Sequence, residues 1–419
     1  MISQRFQRYR TRIFLLLAVV GPGIITANVD NDAGGITTYS VAGAHYGYSL
    51  LWMLGLVALA LIIIQEMSAR LGVVTGKGLA DLIRESLGLR TTAAIIGVVV
   101  FANLANTVSE FAGVAASMEI FGISKYVSVP LVALLVWLLI VKGSYKVVER
   151  IFLIASALYL SYVLSGILAN PPWGQVLQAA VTPSFHLDVG YVTIFVTIIG
   201  TTIAPWMQFY QQASIVDKGI RVEQFGYERI DVVVGSLFAV LVAAFITIAC
   251  AATLFANGIR IETAQDAALA LGPLAGQHAA TLFAIGLLNA SVFSAAILPL
   301  STAYVVCEAF GWESGVSRDW KDAPVFFFVY TALIVLGAGI ILFPIKSLVE
   351  TMLASQTLNG VLLPIILVTM LKLINDKRLM GKYVNGRIMN LLSWATVVIL
   401  IVLTVILVIT TVLPGLFGK

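Results

Sequence analysis

Residues 28–35 read Asn28-Val29-Asp30-Asn31-Asp32-Ala33-Gly34-Gly35; they follow a mostly apolar stretch over 13–26 and lead into Ile36-Thr37-Thr38-Tyr39. Two acids and two asparagines thus fall near the middle of a segment long enough to cross a bilayer. A charge at that depth costs at least ~2.5–3.5 kcal/mol on insertion scales. The paired glycines weaken a helix by roughly 1 kcal/mol each relative to Ala. Neither flanking arm is long enough to span alone, so the segment reads as one membrane helix broken near its midpoint. A second break follows at Gly200-Thr201-Thr202-Ile203-Ala204-Pro205, between residues 192–199 and Trp206-Met207-Gln208-Phe209-Tyr210-Gln211-Gln212. Pro205 removes a backbone donor and clashes with the carbonyl four residues earlier.

Composition supports a membrane setting for both segments. Of 419 residues, 11 % are charged and 60 % apolar, with a mean hydropathy of +0.99. A soluble domain carries about 25 % charged and 45–50 % apolar residues. An ordinary soluble enzyme, a disordered chain and a nucleic-acid binder are all excluded. Apolar runs give eleven spans, at about 13–42, 47–69, 91–120, 126–141, 147–169, 190–216, 231–256, 276–310, 324–343, 349–372 and 390–413. With a cytoplasmic N-terminus, 21 of the 25 Lys and Arg fall in inner linkers. Only Lys125, Arg260, Lys346 and Lys419 fall outside. This split follows the positive-inside rule and puts the C-terminus outside. The net charge of +4 is then a topological signature rather than a sign of acidic partners. A prokaryotic plasma membrane is the expected location.

The breaks lie in spans one and six, five spans apart. Five crossings reverse the membrane side, so the pattern predicts two inverted five-helix repeats meeting at the midplane. The fold expected is an all-α polytopic LeuT-like transporter, one domain over 1–419. Repeat one covers about 13–169, repeat two about 190–372, and an extra helix about 390–413. Residues 72–89 suit a small cytoplasmic amphipathic helix through Leu79, Ile83 and Leu87. Residues 170–189 and 257–275 read as outer loops, with Trp173, Phe185 and His186 as interface residues. Cys250 and Cys307 lie in apolar segments and read as packed thiols. The first span shows no convincing cleavage site, so no cleavable signal peptide is expected. No phosphate-binding loop and no soluble motor domain is found, and no catalytic constellation stands out, so the chain does not read as an enzyme.

The chemistry at the breaks is that of hard oxygen. Asp30 and Asp32 supply anionic oxygens, and Asn28, Asn31 and the carbonyls freed at Val29 and Thr201 supply neutral ones. That set suits Mg²⁺, Mn²⁺ or Ca²⁺. His45, His186 and His278 all fall in loops or at helix ends, and no cysteine cluster exists, which disfavours a zinc or copper site.

These residues resemble the natural resistance-associated macrophage protein (NRAMP) family of divalent-metal transporters. Gly21-Pro22-Gly23 followed by Asp32-Ala33-Gly34-Gly35 is similar to the family's Gly-Pro-Gly and Asp-Pro-Gly-Asn pattern. Ala204-Pro205-Trp206-Met207 falls where the family has Met-Pro-His-Asn. Thr75-Gly76-Lys77-Gly78-Leu79-Ala80, Ser109-Glu110 and Ser355-Gln356 also match. The resemblance covers the whole chain. It implies that Asp32 binds the metal and that Gln356 reaches it in some states. It implies no cofactor, the metal being the transported substrate. The partners are that ion and the lipid bilayer, without nucleic acid, and a monomer is compatible.

The departures carry information. Gly35 replaces the family's metal-binding asparagine, and Ala204 replaces the methionine whose soft sulfur favours transition metals. Mg²⁺ sheds its waters reluctantly, and a roomier all-oxygen site suits a partly hydrated ion. The pattern resembles the NRAMP-related magnesium transporters. Trp206 stands at the histidine, and Thr107 at the first carboxylate, of the set that couples transport to protons in the family. Only Glu110 remains, so weak or absent coupling is expected, with the membrane potential supplying ~2.3 kcal/mol per charge per 100 mV. A proton-coupled Mn²⁺/Fe²⁺ transporter and a Na⁺-coupled carrier of organic solutes are the alternatives. Asn359 lies one turn from Gln356 and could face the same cavity. Glu66, Asn103, Asn106, Glu119 and Glu308 are candidates for a water-filled path, with packing roles equally open.

Overall fold

The computed structural model describes residues 26, 29–142, 156–185 and 188–412. The first arm of span one, with Asn28 and Gly21-Pro22-Gly23, lies outside the described residues, as do the start of span five and His186. Among the described residues, nine helical stretches are long and apolar enough to cross a membrane.

The second arm of span one is α1 (Ala33–Tyr46), followed by α2 (Leu51–Thr75), the amphipathic α3 (Leu79–Leu87), α4 (Leu89–Ile120) and α5 (Lys125–Lys142). Span five ends in α6 (Leu160–Leu168), and α7 (Trp173–Val181) follows it. Span six is two helices, α8 (Val189–Thr202) and α9 (Pro205–Asp217). Then come α10 (Phe225–Thr253), α11 (Ala279–Phe310), α12 (Pro324–Leu342), α13 (Leu348–Ile374) and α14 (Arg387–Val412). These helices match the expected spans to within a few residues. The linkers expected on the outside differ: residues 170–189 contain α7, and residues 257–275 contain short helical turns at Ala264–Ala268 and Gly272–Ala275. The apolar residues of α7 are too few to signal a span, and a nine-residue helix leaves only a weak pattern.

The helices sort into two groups. In one, α10 packs on α1 and α2, and α9 on α2. In the other, α4 packs on α11, α12 and α5. Between them α13 touches α1, α4 and α8. Spans one, two, six and seven thus form one body and spans three, four, eight and nine another, with span ten as the bridge. Close approach needs glycine where α8 meets α13. A Cβ on Gly200 would run into the Gln356 carbonyl and Gly360 N, and one on Gly360 into the Val196 carbonyl.

The linkers separate onto two faces. On one, Arg70 on α2 donates to Glu66 at 3.0 Å, to Asn385 Oδ1 at 2.5 Å and to the Tyr383 carbonyl at 2.9 Å. Arg229 approaches Glu66 at 3.5 Å, and Gln212 donates to the Lys77 carbonyl at 2.8 Å. Glu66 is therefore tied into an ion-pair network rather than facing a water path. The opposite face carries a cavity of about 1010 Å³ whose lining includes Glu119, Lys125, Arg260 and Lys346. Lys125 Nζ donates to the carbonyls of Ile341 and Phe343, at 2.9 and 2.8 Å, at the end of α12. Three of the four basic residues assigned to outer linkers thus meet at this one mouth. Both cysteines are buried and unpaired, as expected for packed thiols.

Candidate metal site

The first break is a turn at 30–32, immediately ahead of α1. Asp32 is the N-cap of α1: its Oδ1 accepts from Gly35 N at 2.6 Å, and its carbonyl accepts from Ile36 N at 2.9 Å. This corrects the sequence reading of Gly34-Gly35 as the weak point. Both glycines belong to the first turn of α1, and their role is proximity. A Cβ on Gly34 would strike the Gln356 amide. One on Gly35 would strike the Asp30 carbonyl and lie 3.2 Å from Thr201 Oγ1. The chain thus gathers Asp30, Asp32, Thr201 and Gln356 around the first turn of one half-helix.

At the second break α8 ends at Thr202, and Ile203 N closes on the Ile199 carbonyl at 2.9 Å. Ala204 is an extended N-cap with no side-chain bond, and Pro205 occupies the first turn of α9, where its missing N–H costs nothing. Met207 N turns back to the Ala204 carbonyl at 3.1 Å. Thr201 sits in the last turn of α8, where carbonyls lack an intrahelical donor. Its hydroxyl also lacks a hydrogen-bond partner among the described residues.

Glu110 arrives from α4. Its Oε2 accepts from Ala33 N at 3.3 Å, and Oε1 has no partner. Two carboxylates therefore meet the N-terminus of α1, where the helix dipole favours negative charge. Asp30 is 2 % exposed with both oxygens unpartnered. Buried carboxylate oxygens without donors point to a cation or to water. Among the described residues no group of three or more His, Cys, Asp or Glu has metal-holding geometry, so any ion held here draws on carbonyl, amide and hydroxyl oxygens as well.

Other expected residues sit differently. Asn31 turns its Nδ2 to the Ala239 carbonyl of α10 at 3.4 Å. Val29 is fully buried. Gln356 Oε1 accepts from Asn359 at 2.9 Å, leaving Nε2 on the Gly34 side. Asn103 donates to Thr302 Oγ1 at 2.8 Å and joins α4 to α11 instead of lining a water path. Glu308 lies against Gly78 on the face of the basic linkers. Trp206 is 1 % exposed and packs on Tyr210, with its carbonyl accepting from Ser301 at 3.3 Å. A contact missed from sequence is that of the Tyr39 hydroxyl with Thr202 Oγ1 at 2.8 Å, which joins the two broken spans. Tyr39 lies seven residues after Asp32, so helical spacing could have placed it on the site's face. A thioether, Met352 Sδ, lies one turn before Gln356 and accepts from Thr37 Oγ1 at 3.5 Å.

The cavity on the far face reaches down to Thr197 and Thr357, whose hydroxyls meet at 2.6 Å. Thr357 adjoins Gln356 in α13, and Thr197 lies one turn before Thr201 in α8. On the other side Gln208, Gln211 and Gln212 of α9 are fully buried. Among the described residues, the large cavity lies on the face with few basic residues, and the buried glutamines of α9 lie on the other side of the break.

A family model described as natural resistance-associated macrophage protein-like matches residues 23–410. The chain belongs to that family. It is 26 % identical over 413 residues to the divalent metal cation transporter MntH of Bacillus subtilis (strain 168), covering 94 % of this chain and 93 % of that protein. It is 29 % identical over 399 residues to the MntH of Ralstonia nicotianae, covering 90 % and 88 %. Among solved structures, a manganese transporter of Eremococcus coleocola superposes with a TM-score of 0.79 at 24 % identity, covering 96 % of this chain and 88 % of that one. The nucleobase-cation-symport transporter Mhp1 superposes with a TM-score of 0.59 at 14 % identity, covering 94 % and 93 %. The LeuT-like fold is thereby established. A member of this family is a membrane transporter and not an enzyme, and its metal is cargo rather than cofactor.

Proposed function

We propose that this protein carries divalent metal cations across the membrane by alternating access, with Mg²⁺ preferred, Mn²⁺ accepted and little or no proton coupling. Asp32 and Asp30 provide the charge, Val29, Thr201 and Gln356 neutral oxygens, and Ala204 the space for retained water. The N-terminus faces the cytoplasm of a prokaryotic cell and the C-terminus the outside. The observation that carries the selectivity is the second break: Ala204, a side chain without sulfur, forms the bare N-cap of α9, and the buried, non-titratable Trp206 follows it. A soft ligand that would favour transition metals is missing from that position. Proteoliposomes loaded with a Mg²⁺ dye and a pH dye test this directly. Mg²⁺ influx without acidification is the expected result.

A second reading, proton-coupled Mn²⁺/Fe²⁺ transport, is favoured by Met352. Its sulfur lies one turn from Gln356 and could supply the missing soft ligand. Under that reading Met352→Leu lowers Mn²⁺ uptake relative to Mg²⁺, and protons enter with the metal. Under the first reading the substitution leaves the ratio unchanged.

A further inference from the structure

Gln356, Asn359 and Asn106 form a chain of side-chain amides running from the metal site to α4. Asn359 Nδ2 donates to Gln356 Oε1 at 2.9 Å, and also to Asn106 Oδ1 at 3.0 Å. Asn106 Nδ2 donates back to Asn359 Oδ1 at 3.0 Å. All three side chains are buried, at 1 %, 0 % and 0 % exposure. The other end of the chain reaches the site: Gln356 Nε2 lies against Gly34 and is directed at the Asp32 carboxylate.

An amide nitrogen carries two donors and no acceptor, so it cannot ligate a cation; ligation needs the oxygen. Here that oxygen faces Asn359. Half a turn of the Gln356 amide would bring Oε1 into the site but set its nitrogen against the nitrogen of Asn359. Turning Asn359 relieves that clash and creates a new one, oxygen against oxygen, at Asn106. Turning Asn106 as well restores every bond with its direction reversed. Two arrangements therefore satisfy every bond along the chain. Every mixed arrangement buries a mismatched pair, which costs the desolvation of an unmade hydrogen bond.

We propose that this amide chain is a two-position polarity switch, with nitrogen turned to the site when it is empty and oxygen when a divalent cation occupies it. The proposal rests on the reading of Gln356 as a ligand of the transported ion. Asn359 and Asn106 are then positioning residues. They make the ligand amide's orientation a joint property of α13 and α4, so that occupancy is felt in the body formed by spans three, four, eight and nine. Asn106 lies one turn before Glu110, which meets the N-terminus of α1 on the same helix.

The test uses the full-length protein in proteoliposomes, with Mn²⁺ as the probe because both readings of selectivity accept it. KM and maximal rate are measured for the wild type, Asn359→Leu, Gln356→Glu and the double variant, with Asp32→Ala as control. A glutamate at 356 carries oxygen on both sides and needs no rotation. Asn359→Leu is expected to raise KM about fivefold in the wild-type background, the worth of one hydrogen bond, and less than twofold beside Gln356→Glu. An equal factor in both backgrounds would overturn the switch, since a purely structural role at the α13–α4 contact ignores what stands at 356. Asn359→Asp carries the test if Asn359→Leu fails to fold or Gln356→Glu is inactive. As an acceptor only, it draws Nε2 outward and holds Oε1 inward. Its KM is expected at or below the wild-type value, and a clear rise overturns the proposal. Uptake by Asp32→Ala would overturn the site itself, whereas a silent control with additive variants overturns the switch alone.

Discussion

Asp32 has two separable duties, and substitutions can split them. Its Oδ1 caps α1 through Gly35 N at 2.6 Å, and its charge is assigned to the ion. Asn keeps an oxygen acceptor for the cap and loses the charge; Ala loses both. Removing an N-cap acceptor costs typically ~1 kcal/mol. Unfolding entropy scales as about 2.1 cal/mol/K per residue. For a chain of 419 residues a change of 1 kcal/mol therefore shifts Tm by roughly 1 °C. Asp32→Ala should melt about 1 °C below Asp32→Asn in metal-free buffer. The ion itself has a larger signature. A ligand at one hundred times its Kd stabilises by about 2.7 kcal/mol, or roughly 3 °C here. At an effective dielectric of about 20, a unit charge pair at 4 Å is worth about 4 kcal/mol, and a divalent ion doubles it. Even half of that sum lowers affinity by about three orders of magnitude.

Both variants should therefore lose the metal-induced rise in Tm and the dye-detected uptake, while only Asp32→Ala loses intrinsic stability. Thermal melts with and without Mn²⁺, together with flux into proteoliposomes, read both duties in one preparation. A normal metal-induced shift and normal flux in Asp32→Asn would refute the charge assignment. Equal melting of the two metal-free variants would refute the capping role.

Four further outcomes are expected. Ala204→Met should raise the Mn²⁺-to-Mg²⁺ uptake ratio by about tenfold, as a soft ligand favours the transition metal; an unchanged ratio in competition assays counts against the role of this position. Gly200→Ala should cost about 1–3 kcal/mol in stability and most of the transport, because the added carbon meets backbone atoms of α13 that cannot swing aside; thermal melts and flux check it. Glu110→Gln keeps an acceptor for Ala33 N and removes a charge, so folding should persist while the Mn²⁺ KM rises about tenfold; an unchanged KM would leave Glu110 a helix cap alone. Burial pushes the Asp81 carboxyl above its usual range, against the lowering effect of Arg84 and Gly78. A folded acid that holds its proton more tightly loses stability as pH rises from its unfolded value through its raised folded one, so Asp81→Asn should flatten melting curves over that interval.

Span existence was legible because the bilayer imposes a long apolar run and a charge asymmetry that no other constraint mimics. The breaks were legible for the opposite reason, since Asp30, Asp32 and Pro205 contradict that run. Their internal detail was not. Gly34 and Gly35 read as helix breakers by propensity, yet a capped first turn tolerates glycine and close approach of α13 and Asp30 demands it. Asn31 sits between two acids in sequence, but a turn sends its amide to α10. Asn106 and Asn359 are 253 positions apart and pair only because α4 and α13 cross. Glu66 likewise meets Arg229 only once α2 and α10 pack together. Single-sequence reading identifies which residues are costly; which partner relieves each cost is a property of helix crossings.

The crossings also explain why acids cluster where they do. At the proposed site, a cation between the broken spans would meet the N-terminus of α1, whose dipole repels it, and the C-terminus of α8, whose free carbonyls attract it. Asp32 and Glu110 both place oxygens on the first N–H groups of α1 and so reverse the sign of the unfavourable end. One acid, Asp32, caps the half-helix α1 itself. The other belongs to α4, in the opposite body. A carboxylate in each body means the attraction between ion and site is shared across the boundary along which an alternating-access carrier must slide. The amides of α13 and α4 join the bridging span to the second body a turn away. A bound ion is then a contact between bodies rather than a passenger in one of them. That is the condition under which its arrival can shift the balance between outward-open and inward-open forms, because only a ligand with different affinity for two states can change their populations.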